Sequence, residues 1–206
     1  MSTNPFLIGI AGSSGSGKSE LASQLSKVLD APVVSLDSYY MELLHLTYEE
    51  RCKVNFDEPA SLDSALIVEQ FAKVARGEEV NIPEYDFSVH TRKAHSTHIV
   101  PGEFVILEGL FALYWEELRN VMGVRVFVEL PDEICFARRL ERDVRERGRT
   151  PESVHHQYFS TVKPMGEKYI LPTREYADVV VRGDARLEDS VAAVLDHCNK
   201  MRSVSA

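Results

Sequence analysis

Short apolar runs alternate with longer amphipathic stretches along this chain. The apolar runs have the length of strands and lie at residues 6–11, 33–36, 104–107, 124–128 and 179–181. Between most of them, apolar residues recur at the spacing of a helix face. Strands that are separated by helices pair in parallel and are buried on both faces. The pattern therefore predicts an α/β fold with a doubly wound parallel sheet and helices on both of its faces.

Helix start and stop signals add detail to this picture. Helices are predicted at residues 19–29, 61–76, 132–147 and 187–201. Thr47 with Glu50 is typical of a capping box that opens a short helix, and Thr150 before Pro151 indicates another helix start. Residues 80–87 and 95–100 follow one another without a helix between them. We expect them to form a hairpin arm, at about residues 79–100, that projects from the sheet.

The composition fits one domain that spans residues 1–206. The chain has 206 residues, 44% of them hydrophobic, and no low-complexity linker divides it. Its formal net charge of −9 argues against nucleic acid and anionic membranes as partners, because both attract basic surfaces. The N-terminal MSTNPF does not resemble a targeting segment, and no apolar run approaches membrane-spanning length. We therefore expect a cytoplasmic protein.

The three cysteines are Cys52, Cys135 and Cys198. They are odd in number, widely spaced and lack a CxxC pair, so we expect neither a disulfide framework nor a zinc site. We expect them to be buried apolar side chains.

One segment reverses the acidic balance of the chain. Residues 138–149 contain six arginines and three acidic residues, a local charge of +3 that leaves −12 for the rest. So much arginine in a short stretch is typical of binding to a compact anion. The other interpretation is a solvated helix face with ion pairs four residues apart, which we expect for Arg138 and Arg145.

The first apolar run leads into a loop with the pattern G-x-x-x-x-G-K-[ST]. Its residues, which we expect to bind ATP, are Gly12, Ser13, Ser14, Gly15, Ser16, Gly17, Lys18 and Ser19. Glycines let backbone N–H groups turn toward an anion, and the helix that starts near Lys18 adds the positive end of its dipole. Lys18 can reach the β and γ phosphates, and the Ser19 hydroxyl can ligate Mg²⁺. The alternative, a flexible turn, is disfavoured by the strand before the loop and the helix after it.

Two carboxylates come at the ends of predicted strands. Asp37 follows the second apolar run and Glu108 follows the third. Open α/β sheets bind ligands at this edge, so we expect both residues to face the phosphate loop, residues 12–19. Asp37 is a candidate catalytic carboxylate, the other common role of such a residue being to cap a turn. Glu108 matches a Walker B residue that holds Mg²⁺ directly or through water.

A phosphate loop alone is shared by kinases, GTPase switches, ATP-driven machines and regulatory nucleotide binders. A GTPase would need N-K-x-D, whereas Asn199 is followed by Lys200, Met201 and Arg202, and neither D-x-x-G nor an LSGGQ-like signature occurs. A strand-end carboxylate with an arginine-rich helix suits small-molecule phosphoryl transfer. The carboxylate can orient a hydroxyl group, and the arginines can neutralise the migrating phosphoryl group.

From Ile8 to about Gly183 the sequence resembles the uridine-cytidine kinase family. The segments that carry the resemblance are IGIAGSSGSGKS, LDSYY, VNFDEPASLD, IPEYDFSVHTRK, VILEGLFALY, RRLERDVRERGR, QY and VKPMGEKYILPTREYADVVV. IPEYDFSVHTR and the arginine run are far more diagnostic than the phosphate loop. The resemblance implies transfer of the γ-phosphate of ATP or GTP, with Mg²⁺, to the 5′-hydroxyl of uridine or cytidine in pyrimidine salvage. It also implies a homotetramer.

The resemblance implies roles for the matching residues. Asp37 would act as general base toward the 5′-hydroxyl. Asp57 and Arg139 would hold the ribose 2′- and 3′-hydroxyls, which selects ribose over deoxyribose. The full nucleoside-binding set would be Tyr40, Phe56, Asp57, Tyr85, Phe87, His90, Arg139 and Gln157. The catalytic set would be Asp37, Lys18, Arg142 and Arg147, with Arg149 on ATP and with Ser19 and Glu108 on the metal. The resemblance also implies an arginine-rich lid, at about residues 138–157, that closes over the triphosphate.

Within the nucleoside set, Phe56 and Phe87 would pack on the pyrimidine, and Tyr85 and His90 would meet its exocyclic edge. Arg182 and Gly183 would border the adenine of ATP. The sequence departs from the family pattern at Leu36, at Cys135 and in VELPDE from Val128. These departures leave open a related kinase for another hydroxylated metabolite, such as a phosphoribulokinase-like enzyme. A non-catalytic ATP-binding regulatory protein is the other alternative.

Overall fold

The computed structural model describes the backbone of residues 4–205 and the side chains of residues 4–203. Within this range the strands are β1 (Phe6–Gly12), β2 (Val33–Ser35), β3 (Val80–Asp86), β4 (Thr91–Ile99), β5 (Phe104–Glu108), β6 (Val124–Glu129) and β7 (Val179–Arg182). Five of them form a parallel sheet in the order β2, β5, β1, β6, β7, and β3 pairs with β4 in a separate antiparallel sheet. The predicted α/β class is confirmed. Residues 1–3, which belong to the segment MSTNPF, lie outside the described residues.

Helices connect these strands. They are α1 (Lys18–Leu29), α2 (Tyr48–Arg51), α3 (Ser64–Val74), α4 (Glu116–Val121), α5 (Asp132–Arg147), α6 (Pro151–Gln157), α7 (Lys163–Met165) and α8 (Leu187–Ser205). Turns of 3₁₀ helix lie at Leu36–Tyr39, Pro59–Ser61 and Leu171–Tyr176, and turns of π helix lie at Tyr158–Val162 and Gly166–Ile170. None of the helices within residues 4–205 is long and apolar enough to cross a membrane.

Alternate residues of β1 pack into cores on opposite faces of the sheet. Leu7 belongs to the core that contains Phe71 of α3. Ile8 belongs to the other core, with Leu25 of α1 and Val194 of α8. All five side chains are at most 1% exposed, and burial of such a side chain contributes roughly 1.5–3 kcal/mol. These two layers hold the strands in place and thereby fix the strand ends that carry the site.

The hairpin arm is separate from the main sheet, as predicted, but it adds to the first core. Val80, Ile82, Tyr85 and Ile99 of the arm are buried there. The predicted second arm, residues 95–100, is also wrong at its start. Cross-strand pairs continue to the pair Asp86 and Thr91, because the turn occupies only residues 87–90.

The structure corrects two predicted element ends. The third helix begins at Ser64 and not at residue 61, because the Asp63 side chain accepts a hydrogen bond from Leu66 N at 3.1 Å and caps it. Ser61 instead donates its hydroxyl to Glu58 O at 2.6 Å. Leu36, predicted in a strand, starts a 3₁₀ turn. Helix α4 and the helical turns from 158 to 176 were not predicted.

The cysteines differ in their burial. Cys135 and Cys198 are buried as predicted, and burial raises the pKa of both thiols to about 11. The prediction is wrong for Cys52, which is exposed. Cys52 follows α2, a short helix with no buried residue, so the chain offers it no core to enter.

Candidate active site

The loop between β1 and α1 has the form that its sequence predicts. Gly15 and Gly17 have φ angles of 85° and 100°, in the left-handed region that favours glycine. A Cβ on Gly15 would lie 2.5 Å from the carbonyl oxygen of Cys135, so packing against α5 also requires glycine there. Gly17 caps α1, and Lys18 is the first residue of that helix. A glycine loop at a helix N-terminus is an anion-binding arrangement.

The next feature is a hydroxyl–carboxylate pair beside this loop. Strand β5 lies between β1 and β2, so its last residue, Glu108, reaches the phosphate loop. Glu108 is 7% exposed, and Ser19 Oγ donates to its Oε2 at 3.0 Å. Within residues 4–205 no three His, Cys, Asp or Glu side chains are grouped to hold a metal. The hydroxyl and carboxylate oxygens of the pair suit Mg²⁺, which uses few protein oxygens and completes its shell with water and phosphate oxygens.

Asp37 lies on the same edge of the sheet, in the 3₁₀ turn after β2. The Ser35 hydroxyl caps this turn by accepting a hydrogen bond from Asp37 N at 3.3 Å, so the Asp37 carboxylate is not the cap. Burial and the negative charge of Glu108 raise the pKa of Asp37, while cationic side chains of α1 and α5 act in the opposite direction. A carboxylate in these surroundings can orient a hydroxyl group or accept its proton.

A buried ion pair lies next to the phosphate loop. Asp57 and Arg139 are each 7% exposed, and Asp57 Oδ1 is 4.0 Å from Arg139 Nη1. The guanidinium of Arg139 also donates to Ser14 Oγ at 3.0 Å and to Gln157 Oε1 at 3.3 Å. Burial raises the pKa of Asp57, and the attraction of Arg139 opposes that rise. Asp57 and Ser14 line a cavity of about 90 Å³ beside the loop.

Four arginines of the lid gather around one carboxylate, Asp143, which the sequence alone did not single out. Asp143 is completely buried. Its ion-pair partners are Arg139, Arg142, Arg147 and Arg149. A signal was present in the sequence, because Arg139 and Arg147 stand four residues before and after Asp143 and so share its helix face.

The other two arginines of α5 lie outside that group. Arg145 pairs with the exposed Glu141 and Glu146, which is the solvated face that we expected. Arg138 differs from the expectation, because its Nη1 donates to Gly183 O at 3.0 Å. This contact borders a cavity of about 250 Å³ between α1 and the segment after β7. Gly17 borders the same cavity, which therefore adjoins the phosphate loop on the side expected for adenine.

Five aromatic side chains form a cluster that we call the ring cluster: Tyr40, Phe56, Tyr85, Phe87 and His90. His90 stacks on Phe56 with ring centroids 5.1 Å apart and 18° between the planes. Tyr40 lies 5.2 Å from Phe56 and 5.3 Å from Tyr85, and Phe87 lies 5.2 Å from Tyr85. Phe87 is 48% exposed, and His90 has a φ of 52°, which is uncommon for a residue other than glycine. The cluster thus unites the ring residues expected to bind nucleoside.

Three buried polar atoms near the hairpin and α2 have no hydrogen-bond partner among the described residues. They are Tyr85 Oη, Thr91 Oγ1 and Arg51 Nε. Because buried polar atoms are normally paired, these atoms are candidates for contact with a ligand or with water. Burial raises the pKa of Tyr85 to about 12, and burial together with the charge of Arg51 lowers the pKa of His90. Arg51 was not singled out from the sequence, since it ends a short helix that has no periodic pattern.

A parallel sheet of this order with a phosphate loop after β1 is the architecture of P-loop kinases, and comparison with known proteins agrees. The model of the Phosphoribulokinase / Uridine kinase family matches residues 7–187. The chain belongs to this family.

Individual relatives agree with this assignment. The Uridine kinase of Lactobacillus johnsonii is 44% identical over 184 residues, which cover 87% of each chain. The Uridine kinase of Vibrio parahaemolyticus is 41% identical over 202 residues, which cover 95% of each chain. Among solved structures, the putative fructose transport system kinase of Silicibacter sp. TM1040 has a TM-score of 0.73 and covers 87% of this chain and 91% of its own. At 22% identity, that last likeness shows the fold alone.

Proposed function

We propose that this chain is a nucleoside kinase that transfers the γ-phosphate of ATP to the 5′-hydroxyl of uridine and of cytidine. The observation that carries the proposal is the grouping of three parts at one edge of the sheet. These parts are the phosphate loop, the carboxylate of Asp37 and the buried pair of Asp57 with Arg139. Relatives named Uridine kinase, at 41% and 44% identity over most of both chains, support the choice of acceptor.

Asp37 orients the 5′-hydroxyl and takes its proton as the phosphoryl group moves. Phosphoryl transfer passes through a loose transition state, so orientation contributes more than early removal of the proton. The raised pKa of Asp37 supports this role, because a base with a higher pKa holds the transferred proton more readily near neutral pH.

Asp57 and Arg139 hold the ribose, and we call this pair the ribose clamp. The carboxylate accepts hydrogen bonds from the 2′- and 3′-hydroxyls, while Arg139 donates to their oxygens. Gln157 and Ser14 keep the guanidinium in place. A deoxyribonucleoside would leave buried polar groups unpaired, which costs roughly 1–3 kcal/mol and selects against it.

Lys18, Arg142, Arg147 and Arg149 neutralise the phosphates, and closure of the lid excludes water that would hydrolyse ATP. The Ser19 hydroxyl and the Glu108 carboxylate would hold Mg²⁺, which would supply further neutralisation of charge. The Ser19–Glu108 hydrogen bond supports this site, because it already brings the two oxygen ligands together.

The ring cluster holds the pyrimidine, and His90 reads its edge. A neutral imidazole has one donor and one acceptor nitrogen, so it can serve either the O4 of uridine or the N4 amine of cytidine. The lowered pKa of His90 supports a neutral ring at physiological pH. We therefore propose dual specificity for uridine and cytidine.

Coupled ADP release tests this proposal. MgATP is supplied with uridine, cytidine, deoxycytidine, adenosine or ribulose 5-phosphate. The expected result is turnover with uridine and cytidine alone. A regulatory nucleotide binder would bind ATP without acceptor-dependent ADP release, and turnover with ribulose 5-phosphate alone would contradict the nucleoside assignment.

The proposal extends to the molecule as a whole. We expect residues 1–206 to form one kinase domain, four copies to assemble as a homotetramer, and the protein to work in the cytoplasm. Light scattering measures the assembly, and a monomer at micromolar concentration would remove the tetramer from the proposal.

A further inference from the structure

Asp143 divides its two carboxylate oxygens between two groups of arginines. Oδ1 accepts hydrogen bonds from Arg142 Nε at 3.0 Å and Nη2 at 2.9 Å, and it lies 3.4 Å from Arg147 Nη1. Oδ2 lies 3.5 Å from Arg139 Nε and 3.5 Å from Arg149 Nη1. One oxygen thus faces two lid arginines, while the other faces the arginine of the ribose clamp and Arg149.

The local fold is arranged to make this gathering possible. Arg139, Asp143 and Arg147 are four residues apart in α5 and so lie on one face. Gly148, with a φ of 62°, ends the helix in the left-handed conformation and turns the chain back. As a result, the backbone N–H groups of Gly148 and Arg149 both donate to Asp143 O, the second at 3.2 Å. Arg149 therefore meets Asp143 through its backbone as well as its guanidinium.

A second route joins the same two groups. Gln157 Oε1 accepts hydrogen bonds from Arg139 Nη2 and from Arg149 Nη1. Arg139 is in turn 4.0 Å from Asp57, the carboxylate of the ribose clamp. A chain of polar contacts therefore runs from Asp57 through Arg139 and Asp143 to the lid arginines.

One contact in this chain is incomplete. Asp143 Oδ2 and Arg139 Nε are both buried, lie 3.5 Å apart and have no hydrogen-bond partner among the described residues. Contacts in a ligand-free site are often long and shorten when the substrate binds. A small movement of Arg139 toward Asp143 would complete this hydrogen bond.

The charges also require Asp143. Four guanidinium groups repel one another, and the single buried carboxylate offsets part of that repulsion while leaving a net positive charge for phosphate. Partial burial and the nearby Arg142 lower the pKa of Arg147, and Asp143 opposes that effect. Because Asp143 is completely buried, it does not touch a substrate and acts through the arginines.

We propose that Asp143 is a positioning residue that holds the lid arginines in place and couples the ribose clamp to the lid. The inference rests on the proposed function, because it takes the bound ligands to be ATP and a ribonucleoside. When uridine binds in the ribose clamp, Arg139 moves toward Asp143. Arg142, Arg147 and Arg149, which contact the phosphates, move with it, because they share the Asp143 carboxylate and because Gln157 bonds both Arg139 and Arg149.

The test uses Asp143→Asn, which keeps the side-chain shape and removes the charge. Its matched control is Glu141→Gln on the same helix, whose 73% exposed carboxylate pairs with Arg145. Affinity for a non-hydrolysable ATP analogue with Mg²⁺ is measured with and without uridine, beside kcat and KM for both substrates.

In the wild type and in Glu141→Gln, uridine should tighten analogue binding about tenfold. In Asp143→Asn this coupling should vanish, and kcat should fall about 10²-fold because the lid arginines are misplaced. A loss of fold stability alone would lower the melting temperature without changing the ratio of the two affinities. Equal coupling in Asp143→Asn and Glu141→Gln, or no coupling in the wild type, would overturn the proposal.

If Asp143→Asn does not fold, hydrogen exchange in the wild-type protein tests the positioning role instead. The Nε–H of Arg142 should give a slowly exchanging NMR signal, assigned by its loss in Arg142→Lys, whereas the Nε–H of the exposed Arg145 should exchange fast. Fast exchange at both positions would overturn the positioning role.

The two proposals fail in different ways. If uridine is turned over and the coupling is the same in both variants, only the role of Asp143 is wrong. If uridine is not turned over, the proposed function is wrong. The analogue affinity of Asp143→Asn, compared with that of Glu141→Gln, then tests arginine positioning by itself: weaker binding supports it, and equal binding overturns it.

Discussion

The phosphate loop and the ring cluster are two ends of one site that are built by different means. The loop is a continuous run of residues, 12–19, whose backbone makes the cradle and in which Gly12 and Gly15 leave no room for a Cβ. The ring cluster takes side chains from the turn after β2, from the segment before Pro59 and from the hairpin. Phe87 of the cluster is 48% exposed, whereas Ser16 of the loop is fully buried.

This difference separates what is general in the site from what is selective. Backbone N–H groups bind phosphate whatever the side chains are, so the loop specifies a phosphoryl donor and not an acceptor. In the proposed function, ring faces and one histidine edge specify the acceptor. Three of these side chains, Tyr85, Phe87 and His90, stand on the hairpin arm and not on the main sheet. Asp37 and Asp57 lie between the two ends, where acceptor and donor meet.

The largest effect is expected at that meeting point. Asp37→Asn should lower kcat about 10²–10⁴-fold, because the 5′-hydroxyl loses its general base and much of its orientation. KM for uridine should stay near normal, since the ribose and base contacts remain. Steady-state kinetics check this result, with Asp30→Asn as control, because Asp30 is an exposed helix cap that tolerates asparagine. Retained turnover in Asp37→Asn would refute the base assignment.

The next largest effect is expected in the phosphate loop. Gly15→Ala places a Cβ 2.5 Å from Cys135 O at a φ of 85°, which should lower the free energy of unfolding by about 2–4 kcal/mol. Turnover should fall for every acceptor alike. Urea denaturation and kinetics measure both quantities. Gly102→Ala is the control, because its Cβ would meet only Phe104 O at 4.0 Å. If Gly15→Ala lowered turnover for one nucleoside much more than for another, the phosphate loop would also select the acceptor, which would contradict the separation of the two ends.

At the other end, Phe87→Ala should raise KM for uridine with little change in kcat. Stacking of a base on an aromatic ring contributes roughly 1–3 kcal/mol, which corresponds to about 5- to 150-fold in affinity. Phe159→Ala is a matched control, because Phe159 is 47% exposed and packs against Phe136 and His155, away from the ring cluster. Equal effects of the two substitutions on KM would remove Phe87 from the nucleoside site.

A smaller and more selective effect is expected at His90. Asparagine tolerates the φ of 52° at position 90, so His90→Asn should preserve the backbone while it displaces the polar side-chain atoms that face the base. The ratio of kcat/KM for uridine to kcat/KM for cytidine should therefore shift about tenfold. The total activity should change less than this ratio. Competition between the two nucleosides measures the ratio directly. An unchanged ratio would mean that His90 does not read the base.

The smallest effect is on stability and comes from the pKa of Asp37. Burial raises this pKa above its ordinary value of 3.8, so ionising the folded protein costs more than ionising the unfolded chain. The cost is absent below pH 3.8, grows as pH rises from 3.8 to the folded pKa, and is constant above the folded pKa. Asp37→Asn should therefore be more stable than the wild type at neutral pH and equal to it at low pH. Melting temperatures across pH measure the difference, and a stabilised wild type at neutral pH would contradict the raised pKa.

Most of the fold and the phosphate loop could be predicted from local signals in the sequence. Residues 12–19 hold a complete motif, and α5 begins and ends where predicted because its caps and charge pattern are local. The ring cluster and the ribose clamp were accessible only through family resemblance. Their members come from segments far apart in sequence, and no spacing rule joins Phe56 to His90.

What could not be predicted depended on tertiary contacts. The helical turns from 158 to 176 contain Pro164 and Gly166, which normally indicate the end of a helix. The chain nevertheless stays helical there, because Val162 and Ile170 pack into the protein interior. Asp143 looked like one charge among many on a polar helix. Only the return of the chain after Gly148 shows that Arg149 joins Arg139 around it.

The position of the phosphate on the product is the most direct test of the proposed transfer to the 5′-hydroxyl. The wild-type chain is incubated with MgATP and uridine, and the product is examined by phosphorus and proton NMR. If Asp37 lies at one end of the bound sugar and the Asp57–Arg139 clamp at the other, as proposed, the product is a single monoester whose phosphorus couples to the 5′-methylene protons. Coupling to a 2′ or 3′ proton, or loss of ATP without a nucleoside product, would contradict it.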